Sequence, residues 1–109
     1  MSEFLQIITT TDTKNMAKQI AETLVEKKLA ACVQISGPMI STYAWKGLIE
    51  NAEEWYCVIK TRKSLYKEVE ESIKGLHSYE VPEIIALPIA EGNQAYLDWI
   101  DEVVITNSV

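Results

Sequence analysis

The sequence predicts a ferredoxin-like α+β domain: an antiparallel sheet in the order βαββαβ, followed by one extra C-terminal helix. Two observations support this prediction. Four segments rich in β-branched and aromatic residues alternate with segments whose apolar residues recur every three or four positions. The chain has 109 residues, 48% of them apolar and 24% charged, which fits one globular domain over residues 1–109. The order β-α-β-β-α-β places two helices on one face of the sheet.

The first strand and the first helix are predicted in the N-terminal quarter of the chain. Residues 4–10 are apolar and β-branched, as a strand requires. Residues 11–13 are all of helix-capping type, and Lys27 and Lys28 follow at the other end, where positive charge suits a helix C-terminus. The apolar positions between them have the helical period: Met16, Ala17, Ile20, Ala21, Leu24 and Val25.

Residues 30–61 are predicted to form a long β-hairpin or bent ribbon. Pro38 interrupts its first strand and cannot donate a ladder hydrogen bond, so we expect a bulge or an edge position there. Residues 46–47 supply a turn, and residues 55–59 form a strong second strand. Glu50, Glu53 and Glu54 follow the turn and are interpreted as a solvated hairpin edge.

The second half of the chain repeats the alternation of helix and strand. A helix is predicted from Ser64, with these apolar residues on one face: Leu65, Val69, Ile73 and Leu76. Pro82 imposes extended backbone on the residue before it, and residues 83–90 are predicted as the fourth strand. Residues 92–93 stop that strand and cap a final short helix, which is marked by Tyr96, Trp99, Ile100 and Val103.

Composition excludes several classes of function. The chain has 16 acidic and 10 basic residues, a net charge of -6, which disfavours binding to nucleic acid or to an anionic membrane. Its apolar runs are too short to span a bilayer, and the N-terminus lacks the pattern of a secretory signal. Cys32 and Cys57 are too few for a disulfide framework and are expected to be buried thiols. We therefore expect a cytoplasmic protein.

The predicted sheet has one face that the helices leave uncovered. Aromatic enrichment is typical of oligomer interfaces, and four aromatic residues fall in the predicted hairpin of residues 30–61: Tyr43, Trp45, Trp55 and Tyr56. We therefore expect self-association through the sheet. The alternative is a two-layer monomer with partly exposed aromatic side chains.

No enzymatic motif is present, so the sequence predicts a binding protein. Phosphate-binding glycine loops, zinc-ligand spacings and nucleophile elbows are all missing. His77 is the only histidine, and Glu80 and Glu83 follow it closely. Imidazole with carboxylates suits copper, zinc or nickel, with Cu(II) favoured. The alternative is a structural histidine that bonds a backbone carbonyl near a helix end. The basic run 60–63 is either a solvated patch or an anion contact.

Six stretches of this chain, in this order, resemble the CutA divalent-cation tolerance family over about residues 5–100: residues 28–33, 41–50, 54–55, 59–61, 77–84 and 96–100. The resemblance implies a homotrimer of ferredoxin-like subunits, similar to the PII signalling proteins, and no established reaction. Members proposed to bind copper have a cysteine in the loop after the first strand, where residues 9–12 here contain none. His77 and Glu83 do match the family positions.

Two hypotheses follow from the resemblance. The first is a trimeric protein of divalent-metal tolerance that binds Cu(II), or another divalent cation, weakly at an inter-subunit site with His77 and Glu83. The second is a PII-like regulatory module that binds a small anionic ligand in inter-subunit clefts, with Lys60, Tyr79 and Glu80 as cleft residues. A small hydrolase on the same fold is a third possibility, for which the sequence offers only one arginine.

Overall fold

The computed structural model describes residues 3–105 as a four-stranded antiparallel sheet with three α-helices. The elements in chain order are β1 (Phe4–Thr11), α1 (Lys14–Glu26), β2 (Cys32–Trp45), β3 (Leu48–Arg62), α2 (Tyr66–Leu76), β4 (Ile84–Pro88) and α3 (Gln94–Val103). The strands lie in the order β2-β3-β1-β4, and all neighbours pair antiparallel. The predicted α+β, ferredoxin-like order with an additional C-terminal helix is confirmed.

Two helices begin at side-chain caps that the sequence predicted. The Thr13 hydroxyl accepts a hydrogen bond of 3.1 Å from the Met16 N–H at the start of α1. The Asn93 side chain accepts one of 2.9 Å from the Ala95 N–H at the start of α3. Each cap satisfies a backbone donor that has no partner inside the helix, which is why helices start at such residues.

Two predicted boundaries differ from the structure. The helix expected from Ser64 starts as a single 3-10 turn, Lys63–Leu65, and α2 follows without a side-chain cap. The fourth strand was expected over residues 83–90, whereas β4 is shorter at both ends. β4 pairs only with β1, and only with residues 5–9 of that strand, although β1 runs from Phe4 to Thr11.

The hydrophobic core lies between the sheet and the helices. Alternate residues of β1 and β3 point toward the helices, since side chains along a strand alternate between faces. The large, fully buried apolar side chains are Ile7, Ile20, Leu24, Ile59, Leu65, Val69, Ile73 and Ile100. Arg62 forms ion pairs with Asp101 and with Glu3, which tie α3 and the start of the chain to the end of β3.

The β2–β3 hairpin extends well beyond the rest of the sheet. β1 pairs with residues 55–62 of β3, whereas residues 48–54 pair only with residues 39–45 of β2. We call this two-stranded extension, residues 39–54, the ribbon. The register shifts between Ser36 and Met39, which confirms the bulge expected at Pro38. The ribbon gives the molecule its longest extent, 46 Å.

The opposite face of the sheet is covered by none of the helices described. Ile8 pairs with Ile85, and both point away from the helices. Ile85 is 49% exposed and Leu87, two residues further along β4, is also exposed. Within residues 3–105, the helices are too short or too polar to cross a membrane.

Candidate functional site

An open groove of about 660 Å³ lies where the ribbon leaves the sheet. Its floor is one face of the ribbon, and its wall is the segment between α2 and β4. On the floor, the groove is lined by Ser41, Tyr43, Trp45, Glu50 and Glu54. On the wall, it is lined by Ser78, Tyr79, Glu80, Val81 and Glu83. We call residues 78–83 the wall segment.

Strand geometry explains why aromatic rings and carboxylates share the floor. Tyr43 and Trp45 are two residues apart on β2, so their side chains lie on the same face. Tyr43 lies directly opposite Glu50 in the ladder, and Glu54 is on that same face of β3. The hairpin register therefore sets a pair of aromatic side chains beside a row of carboxylates.

A hydrogen bond holds the wall segment against the floor. The Tyr79 hydroxyl donates to Oε2 of Glu54 over 2.7 Å. Glu54 is only 8% exposed, so the expectation of a solvated hairpin edge is wrong for this residue. Burial, and then the Glu54 carboxylate, raise the pKa of the Tyr79 hydroxyl, which keeps it protonated as a donor.

Tyr79→Phe is expected to lower the free energy of unfolding by about 1–3 kcal/mol, because the buried Glu54 carboxylate loses its hydrogen-bond donor. Urea unfolding at pH 7 measures the loss. Tyr66→Phe is the matched control, since its hydroxyl makes only a 3.4 Å contact with Glu70. Equal losses in the two variants would contradict a special role for the Tyr79–Glu54 bond.

Both ring nitrogens of His77 have partners within the chain. Nε2 lies 2.7 Å from the backbone oxygen of Thr10, and Nδ1 accepts the Tyr79 N–H over 3.1 Å. Because a carbonyl oxygen can only accept, Nε2 carries the proton and Nδ1 presents its lone pair. This is the contact expected of a structural histidine, and it orients the start of the wall segment. A metal ion at Nδ1 would compete with the Tyr79 N–H.

The structure brings three of the predicted site residues into the groove. Glu83, Tyr79 and Glu80 line it, and His77 immediately precedes the wall segment. Lys60 is not among the lining residues: its Nζ donates to Oε1 of Gln34 over 3.0 Å. It lies six residues along β3 from Glu54, or about 20 Å at the usual strand rise.

The groove is strongly acidic. Four glutamates line it, and its lining includes no lysine, arginine or histidine: Glu50, Glu54, Glu80 and Glu83. These carboxylates are dispersed, because nowhere in residues 3–105 do three His, Cys, Asp or Glu side chains converge closely enough to hold a metal ion. The described part of one subunit thus supplies negative charge to the groove, but it does not supply a complete set of ligands for a metal ion.

Neither cysteine belongs to the groove. Cys57 is fully buried, as predicted, and burial raises the pKa of its thiol to about 11. Cys32 was also expected to be buried, but it is only half-buried in one subunit, so that expectation is wrong for this residue. Both are free thiols.

Four floor residues were not predicted as functional from the sequence. Tyr43 and Trp45 were assigned to an oligomer interface, and Glu50 and Glu54 to a hairpin edge. The sequence did contain a signal for them. Side chains alternate between the two faces of a strand, and counting in twos from the turn at residues 46–47 places all four residues on one face of the hairpin.

The fold and the groove together define a class: a small ferredoxin-like α+β domain with an acidic, aromatic-lined groove beside a protruding ribbon. The sequence model of the family described as "CutA1 divalent ion tolerance protein" matches residues 5–103. The chain belongs to the CutA1 family, which confirms the resemblance seen in its motifs.

Relatives are found in bacteria and animals. The divalent-cation tolerance protein CutA of Thermus thermophilus is 44% identical over 96 residues, covering 88% of this chain and 93% of the relative. Protein CutA of Mus musculus is 46% identical over 90 residues, 83% of this chain. That match covers 51% of the mouse protein, so this chain spans about half the length of some relatives.

Solved structures share the whole fold. CutA1 from the psychrotrophic bacterium Shewanella sp. SIB1 superposes with a TM-score of 0.94 at 41% identity, covering 96% of this chain and 98% of that one. The Thermus thermophilus structure gives 0.91 at 42% identity, with coverage of 93% and 98%. This chain is therefore a divalent ion tolerance family member by sequence and by fold.

Proposed function

We propose that this chain acts in divalent-cation tolerance by binding rather than catalysis, as a cytoplasmic homotrimer that holds Cu(II) weakly at an inter-subunit site. The supporting observation is the acidic groove next to the only imidazole. His77 supplies a nitrogen ligand and Glu83 an oxygen ligand, a combination that suits Cu(II). The names of the relatives from Thermus thermophilus and Archaeoglobus fulgidus, which refer to divalent-cation tolerance, support the same class of function.

The hydrogen bonds of His77 explain why such a site would be weak. The one lone pair that a neutral imidazole offers to a metal is on Nδ1, and it accepts the Tyr79 N–H. Copper must displace the Tyr79 N–H from Nδ1, and Glu83 is the only other copper ligand that the sequence predicted. Neighbouring subunits would have to supply the remaining ligands, since no three-ligand cluster exists within residues 3–105 of one chain.

The charge of the groove favours a cation over the small anionic ligand of the PII-like alternative. Four carboxylates repel an anion, and Lys60, the predicted anion contact, lies outside the groove. ATP is therefore a useful negative comparison in binding experiments.

His77→Asn is expected to weaken Cu(II) binding at least about tenfold, since imidazole is the strongest ligand for this ion that the chain offers. Asparagine is chosen because its side-chain oxygen can still accept the Tyr79 N–H. Isothermal titration of metal-free protein measures the affinity, and electron paramagnetic resonance detects nitrogen coupled to Cu(II). Zn(II) should bind more weakly than Cu(II), and binding should fade in acid as protons compete with the metal.

Glu83→Gln should weaken Cu(II) binding less than His77→Asn does. Glu71→Gln is the matched control, because it removes the same charge from an exposed position on α2, away from the groove. Unchanged copper affinity in His77→Asn, or a wild-type spectrum without nitrogen coupling, would contradict a site at His77.

The exposed apolar surface supports the proposed trimer. Ile40, Leu48 and Ile49 of the ribbon are 65–80% exposed, and Ile85 and Leu87 lie on the uncovered sheet face. Large exposed apolar side chains on both faces of the ribbon and on the uncovered sheet face are typical of a protein interface. Association would bury it and would add to the apparent stability of the fold.

The purified protein is expected to sediment at about three times the 12.3 kDa mass of one chain. Ile85→Lys should dissociate the assembly, because it places a charge in an apolar interface on the open face. Val25→Lys is the matched control, since Val25 has similar exposure but lies on α1, on the other side of the sheet. A wild-type mass of one chain, or equal dissociation by both variants, would contradict the proposal.

A further inference from the structure

We propose that Cu(II) binding at His77 breaks the hydrogen bond between Tyr79 and Glu54, so that this bond regulates the affinity of the copper site. The inference rests on the proposed function, since it concerns the regulation of that same site. All of the contacts on which it depends lie within one chain. It therefore requires no open groove and no surface that an assembly would have to leave free.

The imidazole of His77 is anchored to the sheet. Its Nε2–H donates to the backbone oxygen of Thr10 over 2.7 Å, and β1, which carries Thr10, is paired with a strand on each side. The other ring nitrogen, Nδ1, accepts the Tyr79 N–H over 3.1 Å. The neutral ring thus offers a metal ion one lone pair, and the Tyr79 N–H already uses it.

A metal ion and the Tyr79 N–H cannot share Nδ1. A bond from imidazole nitrogen to a metal is about 2 Å long, so an ion on this lone pair would lie less than about 2 Å from the Tyr79 nitrogen. Non-bonded heavy atoms need about 3.5 Å, so one partner has to move. Because Thr10 holds the ring, the backbone at Tyr79 moves. It lies in the wall segment, which forms neither helix nor strand.

Movement of the Tyr79 backbone also displaces its hydroxyl. This hydroxyl donates to Oε2 of Glu54 over 2.7 Å, so hydrogen bonds hold Tyr79 at both ends. A hydrogen bond of this length is lost when its donor shifts by about 1 Å. The Tyr79 ring packs against the His77 ring, with centroids 4.8 Å apart, which limits the rotations that could restore the bond.

The lost bond opposes copper binding because Glu54 is buried. A carboxylate that is only 8% exposed cannot fully replace its donor with water. By linkage, the Tyr79–Glu54 bond weakens copper binding by the same factor by which copper weakens the bond. Tyr79 therefore lowers the affinity of the site without contacting the metal.

Tyr79→Phe is expected to tighten Cu(II) binding about fivefold or more, because it removes the bond that copper otherwise has to break. The ring and the backbone N–H remain, so only the hydroxyl is tested. Isothermal titration of the metal-free full chain with Cu(II) measures the affinity. Tyr66→Phe is the matched control and should bind copper as wild type does, since its hydroxyl only contacts Glu70 at 3.4 Å.

Glu54→Gln distinguishes this coupling from attraction between copper and the charge of the groove. An amide oxygen accepts a weaker hydrogen bond than a carboxylate, so this variant should also tighten copper binding, by a smaller factor than Tyr79→Phe. Attraction by charge predicts weaker binding, and that result would overturn the proposal. This variant also provides the test if Tyr79→Phe does not fold.

Amide hydrogen exchange follows the displacement of the Tyr79 N–H directly. Copper loading should remove the protection of this amide, because its acceptor is taken by the metal. The Ala95 N–H, which donates to the Asn93 side chain at the start of α3, should keep its exchange rate. Mass spectrometry of the copper-free and copper-loaded protein measures both amides.

The same measurements separate failure of this coupling from failure of the copper site. If His77→Asn leaves copper affinity unchanged, the copper site and the coupling both fail. The coupling alone is overturned if His77→Asn loses copper while Tyr79→Phe binds it no more tightly than wild type. Continued protection of the Tyr79 N–H in the copper-loaded protein would also overturn it alone.

Discussion

Gly37→Ala is expected to lower the free energy of unfolding by about 2–5 kcal/mol, through backbone strain together with overpacking. Gly37 has a φ of +149°, which side-chain-bearing residues rarely adopt. An added Cβ would lie 2.8 Å from Cε3 of Trp55 and 3.1 Å from the backbone oxygen of Glu54. The bulge of β2 thus depends on a residue without a side chain, and the ribbon that forms the groove floor starts immediately after it.

Gly75→Ala is the matched control for this prediction. Gly75 lies in the last turn of α2, and nothing lies within 4 Å of the position its Cβ would take. Alanine has the higher helix propensity, so this variant should gain up to about 1 kcal/mol. Urea unfolding at equal subunit concentration measures both. A Gly37→Ala protein as stable as wild type would show that the bulge tolerates a side chain.

Raising the pH from 9 to 11 is expected to cost the native state about 2 kcal/mol through Cys57 alone. Burial raises the pKa of this thiol from 9.0 to about 11, so the folded protein keeps it protonated while the unfolded chain ionises. This contribution is fully present below pH 9 and is lost as the pH rises toward 11. Urea midpoints across that range measure the loss.

Cys57→Ala should remove this component and flatten the alkaline slope, even though its cavity lowers stability at every pH. The difference between wild type and Cys57→Ala isolates Cys57 from the tyrosines with raised pKa values, which add their own loss at higher pH in both proteins. Parallel slopes in wild type and Cys57→Ala would contradict the assignment.

Local sequence signals predicted the elements of the fold. The helical spacing of apolar residues in α1 and α2, the caps at Thr13 and Asn93, and the bulge at Pro38 all depend on residues a few positions apart. Such signals act within one turn or one strand, so they can be recognised without knowledge of the chain's path. The start of α2, which has no side-chain cap, and the length of β4 were less predictable, because no such local signal marks them.

The candidate site was predicted only in part. His77, Tyr79, Glu80 and Glu83 lie in one short segment, so the motif alone grouped them. The groove also needs its floor, whose residues lie up to 42 positions away from the wall segment along the chain. From the sequence, the floor carboxylates were interpreted as a hairpin edge and the floor aromatic residues as an oligomer interface, and only the structure placed the wall segment against them.

By itself, the sequence determined the family, the α+β class, the order of the elements and the acidic character of the protein. Only the tertiary structure decided what the site residues do. It pairs His77 with the backbone of Thr10, 67 residues earlier, and Tyr79 with Glu54, 25 residues earlier. The physical reason is that hydrogen bonds form over about 3 Å, and only the folded path of the chain brings such distant groups that close.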